Sequence, residues 1–229
     1  RGIKMSYLID FKKITLEQYK KELEKRTFIP SRQILKDKAD IHFNVFVKAN
    51  IKTLEELFSV LKNSKLKAEL LNKNKNVSDE YLTILLRELK SIQPKPVKLR
   101  DFTWISNNTI DKIEKAGISN TQMLYEKLGK SYEREKFVNT FGIDEHEIIE
   151  LLKLSDLTRI QWVNTTFARV LFAAGFDTVE KVSKASPEDL YNKVALKNEA
   201  MKLYKGKIGL NDMKLCIEAA KSIDIEIEV

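Results

Sequence analysis

The chain has 229 residues, 43% of them hydrophobic, and a net charge of +8 at pH 7. This content is enough for one large domain or two small ones, which excludes a disordered chain. The single cysteine, Cys216, excludes an internal disulfide, and no apolar run reaches the roughly eighteen residues that a membrane span needs. The start lacks the apolar core of a signal peptide, and we interpret residues 1–4 as a remnant ahead of Met5. We expect a folded cytoplasmic protein that does not enter a membrane.

The positive charge is concentrated in the first part of the chain. Residues 1–100 hold 23 Lys and Arg against 12 Asp and Glu, a balance of +11, whereas residues 101–229 hold 18 against 21, a balance of −3. Clustered basic residues are typical of a surface that contacts a phosphate backbone, and a lysine-rich solvated helix face gives the same count. The charge therefore indicates a class of partner and leaves the fold open.

Capping signals place the first helices. Thr15 and Gln18 form a predicted capping box, and apolar residues then recur at helical spacing to about Arg26. The chain restarts at Pro30, and the helix that follows is predicted to end at Asn50, because asparagine tolerates a left-handed cap.

The next signals complete the predicted first repeat. Thr53 and Glu56 form a second capping box. A lysine-rich connection then leads to Ser78, which is predicted to cap a long helix that ends near Ser91.

The segment from Gln93 to Pro96 is the predicted boundary, because each proline removes a hydrogen-bond donor and favours extended backbone before it. We expect residues 1–93 to form a basic helical unit, and residues 94–155 and 156–229 to form two further repeats. Their helix stops are predicted at Gly117 and Gly175, and later helices are predicted to begin at polar caps. These caps are Thr178, Ser186, Asp144 and Asn211.

The last seven residues, Ile223–Val229, alternate strictly between apolar and acidic side chains. This is the period of a half-buried strand, and residues 5–9 could pair with it. A frayed terminus is the alternative. An unpaired strand would offer an edge for a homodimer.

The second and third repeats match without a gap at an offset of 58 residues. This offset aligns Phe102 with Ile160, Trp104 with Trp162, and Gly117 with Gly175. The match predicts an all-α fold of three tandem units, in which the helices are followed by a stop and by further helices. The stop is a glycine in the second and third units and Asn50 in the first.

These residues resemble the helix-hairpin-helix superfamily. Together with blocks such as Pro30-Ser31-Arg32 and Leu154-Ser155-Asp156-Leu157, they resemble more closely a bacterial family of tandem helix-hairpin-helix proteins known as a domain of unknown function. The resemblance implies binding of the DNA backbone through a Gly-hydrophobic-Gly hairpin at a helix start. Here the two glycine positions hold Trp104 and Ser106 in one repeat, and Trp162 and Asn164 in the next.

No residue pattern indicates an enzyme, a cofactor or a metal. Neither His42 nor His146 has a cysteine or second histidine at ligand spacing, and the glycines form no phosphate-binding loop. The acidic run that starts at Asp144 lies in the first turns of a predicted helix, where carboxylates complement the helix dipole. We therefore predict a non-enzymatic protein.

Two functions fit these observations. The first is a nucleic-acid-binding module that contacts the phosphate backbone of DNA or RNA without reading sequence. The second is a protein-interaction or scaffold module, in which the hairpins serve only for packing and the acidic second half meets a partner. The replaced glycines favour the second function, and the basic first half favours the first. The predicted phosphate contacts are Lys36, Lys38, Lys98, Arg100, Arg159, Asn164, Thr165 and Arg169.

Overall fold

The structure is a computed structural model that describes residues 5–229, so the interpretation of residues 1–4 lies outside it. The predicted all-α class is confirmed. The described α-helices are α1 Leu16–Lys25, α2 Ala39–Lys48, α3 Leu54–Lys62, α4 Ser64–Lys73, α5 Asp79–Ile92, α6 Asn107–Lys115, α7 Thr121–Leu128, α8 Ser131–Phe141, α9 Glu145–Leu157, α10 Thr165–Ala173, α11 Val179–Lys184, α12 Pro187–Met201 and α13 Leu210–Lys221. Two 3₁₀ helices, Pro30–Leu35 and Leu99–Asp101, precede α2 and α6.

The chain divides into two compact units. The small unit is Asp10–Ile92, and the large unit combines the described part of Arg1–Ile9 with Gln93–Val229. The large unit therefore contains residues from both ends of the sequence, an arrangement that a single dividing point along the chain does not describe.

The small unit packs α1 against α2, and α3 against α4 and α5. Both predicted capping boxes are present, at Thr15 with Gln18 and at Thr53 with Glu56. The predicted lysine-rich connection is wrong, because α4 occupies it. Asn63 starts α4, since its side chain accepts hydrogen bonds from the N–H groups of Lys65 and Leu66, and Leu70 is buried.

The large unit has one continuous core. The helix α9 contacts α7, α8 and α10, while α13 contacts α11 and α12. Leu151, Val170 and Val194 are fully buried in this core. The caps at Asp144, Thr178 and Ser186 are confirmed.

The predicted cap at Asn211 is wrong. The helix α13 begins two residues earlier than predicted, with Gly209 as its N-cap. The side chain of Asp212 reaches back to accept a hydrogen bond from the N–H of Gly209, at 2.8 Å. Asp212 therefore satisfies a backbone N–H at this helix start, the role that the sequence pattern assigned to Asn211.

The three predicted helix stops share one left-handed conformation. The φ angles are 61° at Asn50, 80° at Gly117 and 90° at Gly175. In each case the next residue donates its N–H to a carbonyl five residues back in the preceding helix, which is the Schellman arrangement. These bonds join Ile51 to Phe46, Ile118 to Ile113, and Phe176 to Leu171.

Helix starts recur at two fixed offsets. The starts of α3 and α7, at Leu54 and Thr121, are 67 residues apart, and the starts of α4 and α8 have the same separation. The starts of α6 and α10, at Asn107 and Thr165, are 58 residues apart, as are the starts of α7 and α11. The offset of 58 is the one that aligns the two tryptophans.

The possible terminal strand is absent from residues 5–229, where only isolated bridges occur outside the helices. Residues 5–9 and the tail instead meet through side chains: Glu226 Oε2 accepts a hydrogen bond from the Ser6 N–H at 2.8 Å. The Glu228 N–H donates to the Gly129 carbonyl at 3.0 Å. The tail is therefore held by the Glu226 carboxylate and by a backbone hydrogen bond to Gly129, and it forms no strand ladder.

Candidate functional site

Lys36 and Lys38 lie in the bend immediately before α2, in the small unit. Lys38 is exposed, has a left-handed φ of 52°, and is the N-cap of α2 without a side-chain cap bond. Lys36 is half-buried. The Lys36 carbonyl accepts the Ala39 N–H and the Lys38 carbonyl accepts the Ile41 N–H, so these two N–H groups of the helix start are already engaged. The groups of this bend that could bind an anion are the two lysine ammonium groups.

The bend before α6 carries Lys98 and Arg100. Lys98 is exposed, and its backbone forms a bridge with Asn120. Arg100 is paired on its own surface, since its Nη2 lies 2.7 Å from Asp111 Oδ1 and 2.6 Å from Glu114 Oε2. Two carboxylates neutralise this guanidinium, so Arg100 adds little positive potential here.

Arg159 is not a surface residue, which removes it from the predicted phosphate contacts. Its side chain is 1% exposed, and its Nη1 lies 3.0 Å from Asp156 Oδ1. Nη1 also donates to Tyr125 Oη at 2.6 Å, and Nε donates to the Tyr7 carbonyl at 3.1 Å. Burial raises the pKa of Asp156, and the Arg159 guanidinium opposes that effect. Arg159 therefore organises the interior of the large unit.

Asn164 and Thr165 lie at the start of α10, as predicted. The exposed Asn164 caps the helix, because its Oδ1 accepts the Phe167 N–H at 2.9 Å. Thr165 is half-buried as the first helical residue. This helix start can meet a ligand, although the capping oxygen of Asn164 is already used.

Arg169 lies over the ring of Trp104, with its guanidinium carbon 4.5 Å from the ring centroid. Trp104 Nε1 also donates to Glu150 Oε1 at 3.2 Å. Residues from α9 and α10 thus cover the half-buried Trp104. Arg169 is consequently engaged in a contact inside the large unit.

The sequence predicts Trp104 and Trp162 to be equivalent bend residues, each packed in the core or stacked on a base or a partner, and the structure separates the two. Trp162 is 52% exposed, and its φ is 69°, which bulky side chains rarely adopt. Trp104, at the equivalent bend position, does not have a left-handed φ. The exposure depends on what lies beside the ring, which the local sequence does not encode.

The predicted contacts are divided between the two units. Lys36 and Lys38 belong to the small unit, and the other six residues belong to the large unit. Within the large unit, Arg159 is buried and Arg100 and Arg169 have partners, so Lys98, Asn164 and Thr165 remain as surface candidates.

Two surface grooves occupy equivalent sequence positions. The groove in the small unit measures about 460 Å³ and is lined by residues that include Ala49, Ile51, Val60 and Leu70. The groove in the large unit measures about 540 Å³ and is lined by residues that include Ala116, Ile118, Lys127 and Phe137. Each residue of the second set lies 67 positions after its counterpart, so the space follows from the recurring helix arrangement.

Residues 5–229 contain no group of three His, Cys, Asp or Glu side chains placed to hold a metal ion. None of the helices in this range is both long and apolar enough to cross a bilayer.

Fold and surface together define an all-α protein with lysines at one helix start and a tryptophan exposed at another. The chain belongs to the family described as "Domain of unknown function (DUF4332)", whose profile matches residues 104–223. No curated protein and no solved structure matches the chain.

Proposed function

We propose that this protein is a non-enzymatic module of three tandem helix-hairpin-helix-like repeats that binds nucleic-acid backbone without sequence readout. The observation that carries the proposal is the pair Lys36 and Lys38 in the bend before α2. No ion-pair partner for either is found among residues 5–229. The helix start contributes the positive end of the α2 dipole beside them.

The charge of the small unit supports this assignment. Residues 10–92 hold 18 Lys and Arg against 12 Asp and Glu, a balance of +6. Such a surface attracts a polyanion over the Debye length, and individual ammonium groups then replace counterions at the phosphates. Lys98, Asn164 and Thr165 are the candidate secondary contacts in the large unit.

The test is a titration of the full chain with a fluorescein-labelled 20-base-pair duplex at several salt concentrations. We compare the parent with Lys36→Ala/Lys38→Ala and with a control of equal charge change, Lys65→Ala/Lys75→Ala. Both control lysines are exposed; Lys65 lies in the first turn of α4 and Lys75 lies two residues after its end. The log–log salt slope should fall by up to about two units in the first variant, roughly one for each phosphate that is no longer neutralised.

The control variant should retain the parent slope, and a duplex of scrambled sequence should bind equally. Equal slopes in both variants would show that the charge acts diffusely and would overturn the assignment to the bend. If the parent and both variants bind the duplex no more tightly than an unrelated basic protein does, the nucleic-acid function is rejected.

A second candidate function is a protein-interaction module formed by the large unit. The observation that favours it is that three arginines of this unit already have partners within the chain: Arg100 in a surface ion pair, Arg159 in a buried one, and Arg169 on the ring of Trp104. Residues 93–229 also carry 21 Lys and Arg against 21 Asp and Glu, so this stretch has no excess charge for a polyanion. If the duplex titrations reject nucleic-acid binding, protein interaction is the remaining candidate function.

A further inference from the structure

The connection between α12 and α13 carries a local concentration of positive charge. This segment, residues 202–207, is called the lysine loop below and contains Lys202, Lys205 and Lys207. All three lysines are exposed, and residues 200–211 contain no Asp or Glu. No ion pair of these lysines is found in the part of the chain that the structure describes. The lysine loop therefore presents three ammonium groups to solvent.

Contacts within the large unit shape the lysine loop. Asn198, in the last turn of α12, binds Tyr204 with both ends of its amide: Nδ2 donates to the Tyr204 carbonyl at 2.9 Å, and Oδ1 accepts the Tyr204 N–H at 2.8 Å. The ring of Tyr204 packs against Phe167, with centroids 5.3 Å apart. Gly206 lies so close to this ring that an added Cβ would be 2.6 Å from a ring carbon. Because these contacts order the loop in advance, little conformational entropy is lost when it binds a ligand.

Lys202 has the same backbone conformation as Lys38 in the bend before α2. The φ angle is 52° at both residues, a left-handed value that glycine or asparagine adopts at lower cost. Lys202 is also the C-cap of α12, where a cation complements the helix dipole. This structural role does not extend to Lys205 and Lys207, which lie beyond the end of the helix. Their charge is therefore available to a partner.

The lysine loop lies beside the start of α10. Tyr204 packs on Phe167, and the N–H of Phe167 is the one that Asn164 caps. Asn164 and Thr165 are the uncharged candidate contacts that this helix start contributes to the proposed function. The loop adds cationic groups on the same part of the large unit.

We propose that the lysine loop is a second contact for nucleic-acid backbone, in which Lys202, Lys205 and Lys207 each neutralise a phosphate. This contact rests on the proposed nucleic-acid function and extends it to the large unit. Ammonium groups suit such a partner, because each acts as a point charge on a phosphate and reads no base. The even charge balance of residues 93–229 does not oppose binding, since salt screens distant surface charges beyond about 8 Å.

The experiment repeats the duplex titration with the full chain carrying Lys202→Gly/Lys205→Ala/Lys207→Ala. Glycine adopts the left-handed angle of residue 202 readily, so this loop variant should melt close to the parent temperature. Its log–log salt slope should fall by up to about three units, roughly one for each phosphate that is no longer neutralised. Lys205→Ala/Lys207→Ala, which keeps the cap of α12, should lower the slope by up to about two units.

The matched control is Lys115→Ala/Lys127→Ala/Lys136→Ala, which removes the same charge from exposed lysines on α6, α7 and α8. Its slope should stay within about one unit of the parent slope. An equal fall in the control and the loop variant would overturn the proposal, because the charge would then act diffusely over the surface.

The Lys36→Ala/Lys38→Ala variant separates this proposal from the proposed function. If that variant loses slope while the loop variant keeps the parent slope, the lysine loop is overturned and the proposed function stands. A fall in the loop variant alone supports the lysine loop and overturns the assignment to the bend. Duplex binding by the parent no tighter than that of an unrelated basic protein overturns both.

A labelled polyglutamate peptide is the second probe, and the parent should bind it more weakly than the duplex. Tighter binding of the peptide that is lost in the loop variant would assign the lysine loop to an acidic protein segment and overturn the proposal.

Discussion

Arg159 and Asp156 form a buried ion pair, three residues apart, at the end of α9. The second carboxylate oxygen of Asp156 accepts the Val179 N–H at 2.8 Å, so the acid also holds the start of α11. The guanidinium of Arg159 donates to the Asp224 carbonyl at 3.1 Å as well as to the Tyr7 carbonyl. This pair therefore joins residues from both ends of the sequence to the core of the large unit.

Replacing Arg159 by alanine should destabilise the protein by about 3–5 kcal/mol, because Asp156 would remain charged and buried without its partner. Chemical denaturation of the variant measures this change. Arg100→Ala is the control, since its pair with Asp111 is about half exposed and should contribute less than about 1 kcal/mol. Similar destabilisation in both variants would contradict the structural role of Arg159.

Gly175→Ala should destabilise the protein by about 1 kcal/mol, through the backbone alone. The φ of 90° disfavours a side chain, while a Cβ built at this position meets no atom within 4 Å. Gly175→Asn should cost less, because Asn50 adopts the same left-handed conformation at the corresponding stop. Thermal melts rank the three proteins, and an alanine variant that melts like the parent would remove the cap assignment.

Glu228 should make the protein sensitive to acid. Hydrogen bonds from the Ser131 N–H, the Lys130 ammonium and the Ser131 hydroxyl lower its pKa to about 2 from an ordinary value of 4.5. Since the folded pKa lies below the unfolded one, this contribution is present above pH 4.5 and is lost as the pH falls towards 2.

Melting temperatures of the parent and of Glu228→Gln, measured from about pH 6 to about pH 2, check this prediction. The variant should lose less stability across that range than the parent. Glu199→Gln removes an exposed carboxylate of α12 and should follow the parent curve. Parallel curves for the parent and Glu228→Gln would contradict the tail contact.

The thiol of Cys216 should be unreactive in the native protein. Burial raises its pKa to about 12, and the thiolate is the reactive form. A colourimetric thiol reagent at about pH 8 should label the folded chain only on the timescale of unfolding, and should label one thiol promptly in denaturant. Prompt labelling without denaturant would show that the α13 face is open.

The helix boundaries that the sequence predicted depend on chemistry within a few residues. A capping box needs only Thr53 and Glu56, and a left-handed stop needs only Gly117, Gly175 or Asn50 before an apolar residue. Where two local signals competed, the sequence was insufficient: Gly209 with Asp212 displaced Asn211 as the start of α13.

The sequence by itself determined the all-α class and the main caps and stops, because these follow from local backbone preferences and periodicity. Only the tertiary structure decided which basic residues face solvent. Arg159 lies in the core because Asp156 and Tyr125 bind its guanidinium. Arg169 stacks on Trp104, which lies 65 positions earlier in the chain. The burial of a long charged side chain depends on partners brought together by packing, and sequence neighbours do not specify them.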